Sequence, residues 1–333
     1  RWAAAAARLF CSILRNASAI TGNTSGLAPS ELKSLERIYR RSVSPREVVS
    51  PELATYMCGL SRELQRQIGV LVGRQGSIEH VFVGDASKIM LPDFGRVRAG
   101  RGRFRGLRLV HTHLRNEPLS RDDLVDLALL RLDLVAAVGV TREGRPADLH
   151  LAHLLPPRDG GEPWQVLTPT PFHASEVDPA ELLRALEQEF DREAPAGIGV
   201  DPRERAVLVV VEAGQRRGPG RTDGGHRPPL ASRTEELKEL CRTAGIRVMS
   251  VIEQRRAEPD PKYLVGRGKL EEVLVRAMQV DAALIIFDPE LLPGQAHAIA
   301  DFTDIKVIDR TMLILDIFAQ RAKSRDGKLQ VEL

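Results

Sequence analysis

At 333 residues the chain is too long for one ordinary domain and long enough for two buried cores. Hydrophobic residues at 43% and charged residues at 28% are normal for a globular chain, and no apolar run approaches the roughly 18–20 residues that cross a bilayer. A formal net charge of +3 is too mild to identify a nucleic-acid binder by itself. The three cysteines, Cys11, Cys58 and Cys241, stand too far apart for a CxxC pair. A reducing, cytoplasmic setting fits.

Arg1–Ala19 carries no acidic residue and has two readings, a targeting peptide or the edge of an incomplete chain. Arg8 interrupts its apolar stretch and no clean cleavage site follows, which favours the second reading. The far end, Val331-Glu332-Leu333, stops inside an apolar pattern and reads the same way. Residues 1–48 are therefore expected to be an extension with one short helix after Pro29, where Ser30 can cap and Leu32, Leu35 and Ile38 share a face. A helix is expected at 51–67. The runs IGVLVG (68–73) and IEHVFVG (78–84), separated by Arg74-Gln75-Gly76, predict a β-hairpin. Residues 95–108 read GRVRAGRGRFRGLR. Their six arginines, Arg96, Arg98, Arg101, Arg103, Arg105 and Arg108, are candidates for RNA contact, because guanidinium forks onto phosphate and glycine lets a chain follow a groove. A solvated loop is the competing reading. Phe104 is the only aromatic among them, so base-specific readout is not expected.

A strand at Leu107–His111, a helix from Ser120, strands at Leu134–Val140 and Asp148–Leu154 and a helix at 178–192 complete a mixed α/β domain over 49–200. After the Pro195–Pro202 break the rhythm changes. Strands at Ala206–Glu212, Ile246–Ile252, Ala283–Phe287 and Ile305–Ile308 alternate with helices at Ser232–Ala244, Gly268–Gln279, Glu290–Asp301 and Arg310–Lys323. That alternation predicts a parallel sheet covered by helices over 206–325, and residues 326–333 would open a further helical linker. A Gly-, Pro- and Arg-rich loop is expected at 214–230.

In the second domain, Lys262–Glu272 reads KYLVGRGKLEE, a glycine-flanked turn entering a helix. Free backbone N–H groups at such a start suit an anion, which makes Gly266, Arg267, Gly268 and Lys269 candidate nucleotide-binding residues; a plain helix start is the other reading. It is not a P-loop, since Leu270 follows Lys269. This stretch, Phe287-Asp288 with Glu290-Leu291, VIDR at 307–310, LILDIFAQRA at 313–322 and GKLQVEL at 327–333 follow one another in order. The series resembles the N-terminal domain of HflX-type GTPases over about residues 206–333. The resemblance implies a βαβ parallel-sheet domain followed by a helical hairpin and a GTP-binding domain. It also implies a partnership with the large ribosomal subunit and its rRNA in splitting stalled ribosomes, GTP and Mg2+ in the GTP-binding domain, and a possible ATP contact at Gly266–Lys269. Neither a Walker motif nor NKxD occurs in these 333 residues, so no catalytic residue is assigned.

In the first domain, His111-Thr112-His113 ends a strand and Ser120 and Asp123 follow at a helix start. Two imidazoles two residues apart face the same side of a strand, and a carboxylate from the next helix could complete a three-ligand zinc site. Histidines hydrogen-bonded at a strand end are the bland alternative. HxH followed by SxxD resembles the JAMM metalloprotease motif. That resemblance implies a JAMM-like fold over about 50–200, His111, His113 and Asp123 as metal ligands and Ser120 as supporting hydroxyl. The sequence departs from that pattern in its shorter spacer, in Leu114 after the second histidine, and in Arg66 where the general-base glutamate belongs. A JAMM-like fold used as a structural or binding module is therefore favoured over a zinc-dependent hydrolase, and a non-catalytic RNA- or nucleotide-binding module is the third alternative.

Overall fold

The computed structural model describes residues 20–89, 91, 104–156, 162–193, 205–213, 229–300, 303 and 305–319. The expectations placed on Arg1–Ala19, on most of the 214–230 loop, on 320–333 and on Arg96, Arg98, Arg101 and Arg103 fall outside these residues. The chain divides into two compact units, Arg1–Ala194 and Pro195–Leu333. Both are α/β.

The first unit is built on a mixed sheet. Its strands are β1 (Ile20–Gly22), β2 (Ile68–Gly73), β3 (Ile78–Val83), β4 (Leu107–His113), β5 (Leu134–Val140), β6 (Pro146–Leu154), β7 (Trp164–Val166) and β8 (Thr170–Pro171). They run in the order β1-β3-β2-β4-β5-β6-β7, with β8 paired to β6. The β2–β3 hairpin is antiparallel, and β4 pairs antiparallel with β2 but parallel with β5. Helix α1 (Pro29–Glu36) and helix α2 (Pro51–Leu64) precede the hairpin, α3 (Arg121–Leu129) lies between β4 and β5, and α4 (Pro179–Glu193) follows β8.

Period-two alternation gives this sheet two different faces. Ile68, Val70, Val72, Val81, Val110, Ala136, Val138, Leu149 and Leu151 join Leu53, Ala54, Met57 and Cys58 of α2 in one continuous core. Their sequence neighbours, Gly69, His111, His113, Ala137 and His150, point the other way. The register aligns Gly69 with His111, His111 with Ala137 and Ala137 with His150, so these four form a row across the opposite face. Helix α2 starts where Ser50 Oγ accepts from Leu53 N, and it ends at Gln65 in a left-handed conformation (φ 53°). The expected helix end at 67 thus comes three residues early, because the chain must turn there to enter β2.

The second unit contains β9 (Arg205–Ala213), α5 (Leu230–Thr243), β10 (Arg247–Arg256), α6 (Arg267–Gln279), β11 (Leu284–Phe287), α7 (Pro293–Ala300), β12 (Lys306–Asp309) and a helix over 310–319, α8. All four strands are parallel, in the order β10-β9-β11-β12. Central β9 is buried along Ala206–Val211, as its unbroken apolar run requires for a strand covered on both faces. Ala206, Leu208, Leu237, Cys241, Ile286, Ile308 and Leu313 form the core on one side of this sheet. Among the described residues no helix is long and apolar enough to cross a membrane.

Candidate functional site

The first unit brings His111, His113 and Asp123 together. Both histidines leave β4 on the face away from the main core and are buried, at 0% and 2% exposure. Thr112 between them points the other way and pins the strand end. It accepts from Ile68 N (2.9 Å) and bonds Ser61 Oγ (2.8 Å). The following turn is equally fixed. Asn116 adopts φ 56°, its Nδ2 donates to Asp148 Oδ2 (2.6 Å), and its Oδ1 accepts from Asp148 N (3.2 Å). This contact explains Gly139, where a Cβ would overlap the Asn116 side chain. Ser120 then caps α3 reciprocally: its Oγ accepts from Asp123 N (3.2 Å), while Asp123 Oδ2 accepts from Ser120 N and Ser120 Oγ (both 2.7 Å). The capping box that starts the helix therefore also aims the Asp123 carboxylate.

His111 Nε2 and His113 Nε2 lie 2.9 Å apart, Asp123 Oδ1 is 3.4 Å from His111 Nε2, and Asp123 Oδ2 is 3.7 Å from His113 Nε2. All three ligand atoms fall within 4.8 Å of one another. Tetrahedral zinc with bonds of about 2.0–2.1 Å spaces its donors by roughly 3.3–3.4 Å, which these separations bracket. His113 Nδ1 donates to Glu117 O (2.7 Å), a bond that fixes the tautomer and leaves the Nε2 lone pair facing the cluster. His111 Nδ1 is buried without a hydrogen-bond partner. The donor set fits a divalent cation once that ion displaces the proton His111 shares with Asp123: two imidazole nitrogens and one carboxylate then converge.

Burial alone would push Asp123 up, but the charge of His111 and the hydrogen bonds from His111 and Ser120 hold it well below the usual carboxylate range. Burial, and then the neighbouring His111, lowers His113, so its neutral ligating form is favoured. One helical turn along, burial and the charges of Asp123 and Asp122 raise Asp126 to about 7. The sequence offered HxH and SxxD for this cluster. Nothing in it singled out Asn116, Gly139 or Gln67, whose roles depend on strand register.

The other candidates fare differently. Arg108 does not offer a guanidinium to RNA as expected. It is 4% exposed on the core face of β4, donating to Val48 O (3.1 Å) and Ser44 O (3.3 Å). Arg105 is half-buried, with its backbone tied to Arg131 O (2.8 Å). In the second unit Gly266 is the N-cap of α6 and its N–H donates to Gln254 Oε1 (3.3 Å); a Cβ at Gly266 would approach Arg256 Nη1 to 2.5 Å. The cations expected to face phosphate are engaged along the helix, Lys269 with Glu272 (2.9 Å) and Arg267 with Glu271 (3.1 Å). Gly268 has open space around it. Past the strand ends of this unit, buried Arg233 pairs with buried Asp288, and Arg310 reaches both Asp288 and Glu236.

Four parallel strands wrapped by helices make the second unit a parallel α/β domain. Residues 231–319 match the family described as GTP-binding GTPase N-terminal. A GTPase HflX from Lacrimispora saccharolytica is 40% identical over 130 residues, covering 39% of this chain and 28% of that protein. The GTPase HflX of Escherichia coli is 44% identical over 99 residues (30% and 23%), and that of Alkalihalophilus pseudofirmus 47% over 98 (29% and 23%). The second unit carries the N-terminal portion of an HflX-type GTPase. The chain spans about a quarter of the length of these curated relatives.

Proposed function

We propose that this chain works as the front portion of an HflX-type GTPase that docks on the large ribosomal subunit in the cytoplasm and serves ribosome splitting and rescue. GTP and Mg2+ would be handled by a part of such a protein outside these 333 residues. The observation that carries this reading is the match over 231–319, laid on an uninterrupted four-stranded parallel sheet. Arg96, Arg98, Arg101 and Arg103 supply the RNA-facing charge in this account. The test is co-sedimentation of the chain with purified large subunits through sucrose. Co-migration that weakens as salt rises supports the reading, because phosphate contacts release counterions. A chain that stays at the top of the gradient at low salt sinks it.

A second reading concerns the first unit, and the convergence of His111, His113 and Asp123 favours it. These residues would hold a zinc ion, with Ser120 orienting Asp123 and the Glu117 carbonyl orienting His113. Zinc in such a setting supplies Lewis acidity to an oxygen ligand. Arg66, where a general base would stand, instead donates to the carbonyls of Asn23 and Ser25, which supports a binding role over peptidase activity. Calorimetric titration with zinc tests this: stoichiometric uptake by the chain and none by His113→Ala is expected, and equal heats from the two would refute it.

A further inference from the structure

Among the described residues, several buried polar atoms lack a hydrogen-bond partner, and one of them, the side-chain amide of Gln67, directly precedes the strand beside the His111–His113 cluster. Gln67 is 1% exposed and its Nε2 has no hydrogen-bond partner. A buried N–H without an acceptor is unfavourable, so such a group calls for a partner from outside the polypeptide. The backbone shows which way the residue faces. Gln67 N donates to Asp85 O (2.8 Å) and Gly84 N donates to Gln67 O (2.9 Å), so residue 67 extends the β2–β3 pairing by one step. Ile68, Val70 and Val72 pack into the main core, and alternation sets Gln67 with Gly69 on the opposite face, that of His111 and His113.

The antiparallel register then sets its level along the strands. Gly69 stands opposite His111, Ile68 N donates to Thr112 Oγ1, and one step further Gln67 comes level with His113. Gly69, on this same face, is covered by the buried Ile89 side chain: a Cβ there would meet Ile89 Cδ1 at 2.8 Å and His111 Cβ at 3.4 Å. A buried carboxamide thus stands beside a three-ligand cluster that leaves one tetrahedral position open.

Resting on the zinc reading, we propose that Gln67 is the positioning residue for a carboxylate ligand of this site. One oxygen of the carboxylate would accept from Gln67 Nε2 while the other faces the His111–His113–Asp123 cluster. A carboxamide donates a hydrogen bond but takes no proton at neutral pH, so it suits holding a ligand in place and not general-base chemistry. A singly charged carboxylate fits better than a phosphate dianion, because Asp122, Asp123 and Asp126 all lie on α3.

The test uses the full chain loaded with cobalt(II), whose visible spectrum reports its ligands, and acetate as the probe. Acetate should change the wild-type spectrum saturably, and Gln67→Leu should weaken that response at least tenfold with cobalt stoichiometry unchanged. Should the leucine variant misfold, Gln67→Ala serves the same comparison. Equal acetate affinity in wild type and variant, or no acetate response in a cobalt-loaded chain, overturns the role of Gln67 and leaves the metal site standing. Failure of the wild type to take up cobalt overturns both.

Discussion

The two units show opposite relations between resemblance and chemistry. The second unit is the one whose family is legible, and the cations of its conspicuous motif are paired locally: Lys269 and Arg267 are matched by glutamates on their own helix, and Gly266 caps a helix beside Arg256. The first unit lies outside the matched residues 231–319, yet it gathers three buried imidazoles, His111, His113 and His150, a carboxylate and an unpartnered amide on one sheet face. An ordered series of motifs preserves the packing of a fold. Chemistry requires side chains to converge, and register, more than sequence proximity, decides that.

The comparison predicts different responses to substitution, and the largest belongs to the second unit. Asp288→Ala would remove the buried carboxylate paired with buried Arg233, which costs about 3–5 kcal/mol. A chemical-denaturation curve followed by circular dichroism should show that loss in the transition of the second unit. A loss under about 1 kcal/mol would mean the pair is already solvated. In the first unit, Gly139→Ala forces the Asn116 turn away from β5, at a cost of about 1–3 kcal/mol from overpacking, and should weaken zinc binding as well. Unchanged zinc affinity in that variant would separate the turn from the site.

The pH response of Asp126 has a definite sign. Its folded-state pKa, about 7, lies above the ordinary carboxylate value, so its ionisation opposes folding. Stability from this group is complete below the unfolded value near 4 and is lost as pH rises through about 7. Asp126→Asn should therefore stabilise the metal-free chain at pH 8 by roughly 1–3 kcal/mol, with the advantage shrinking towards pH 5. A thermal melt series checks this, and an advantage that grows on acidification would contradict it. Smallest of all, Lys269→Ala should change stability by less than about 0.5 kcal/mol, since it removes only a partly exposed i,i+3 pair. A larger loss would assign Lys269 a role the pairing hides.

Much of the fold was legible because its signals are local. The apolar runs of the four parallel strands, the glycine after α5 and the Ser120 cap each report on their own few residues. The HxH spacing likewise placed both imidazoles on one side of a strand. Short β1, β7 and β8 were missed, since two or three residues carry no periodicity and their pairing partners are distant in sequence. Arg108 was misassigned for a similar reason. In an Arg-Gly segment it reads as solvated, but the parity of β4 turns it inward onto Val48 and Ser44. Gln67 and Asn116 gave no signal at all, because their meaning lies in what the neighbouring strands place beside them.

The most direct test of this contrast is a melt followed by tryptophan fluorescence, with and without zinc. Trp164 lies in β7, and residues 195–333 contain no tryptophan, so the signal belongs to the first unit. Zinc at about 100 times its dissociation constant adds roughly 2.7 kcal/mol of stability. The transition should rise by several degrees in the wild type and stay unmoved in His113→Ala. A transition that zinc leaves in place in the wild type, or raises equally in both, would contradict it.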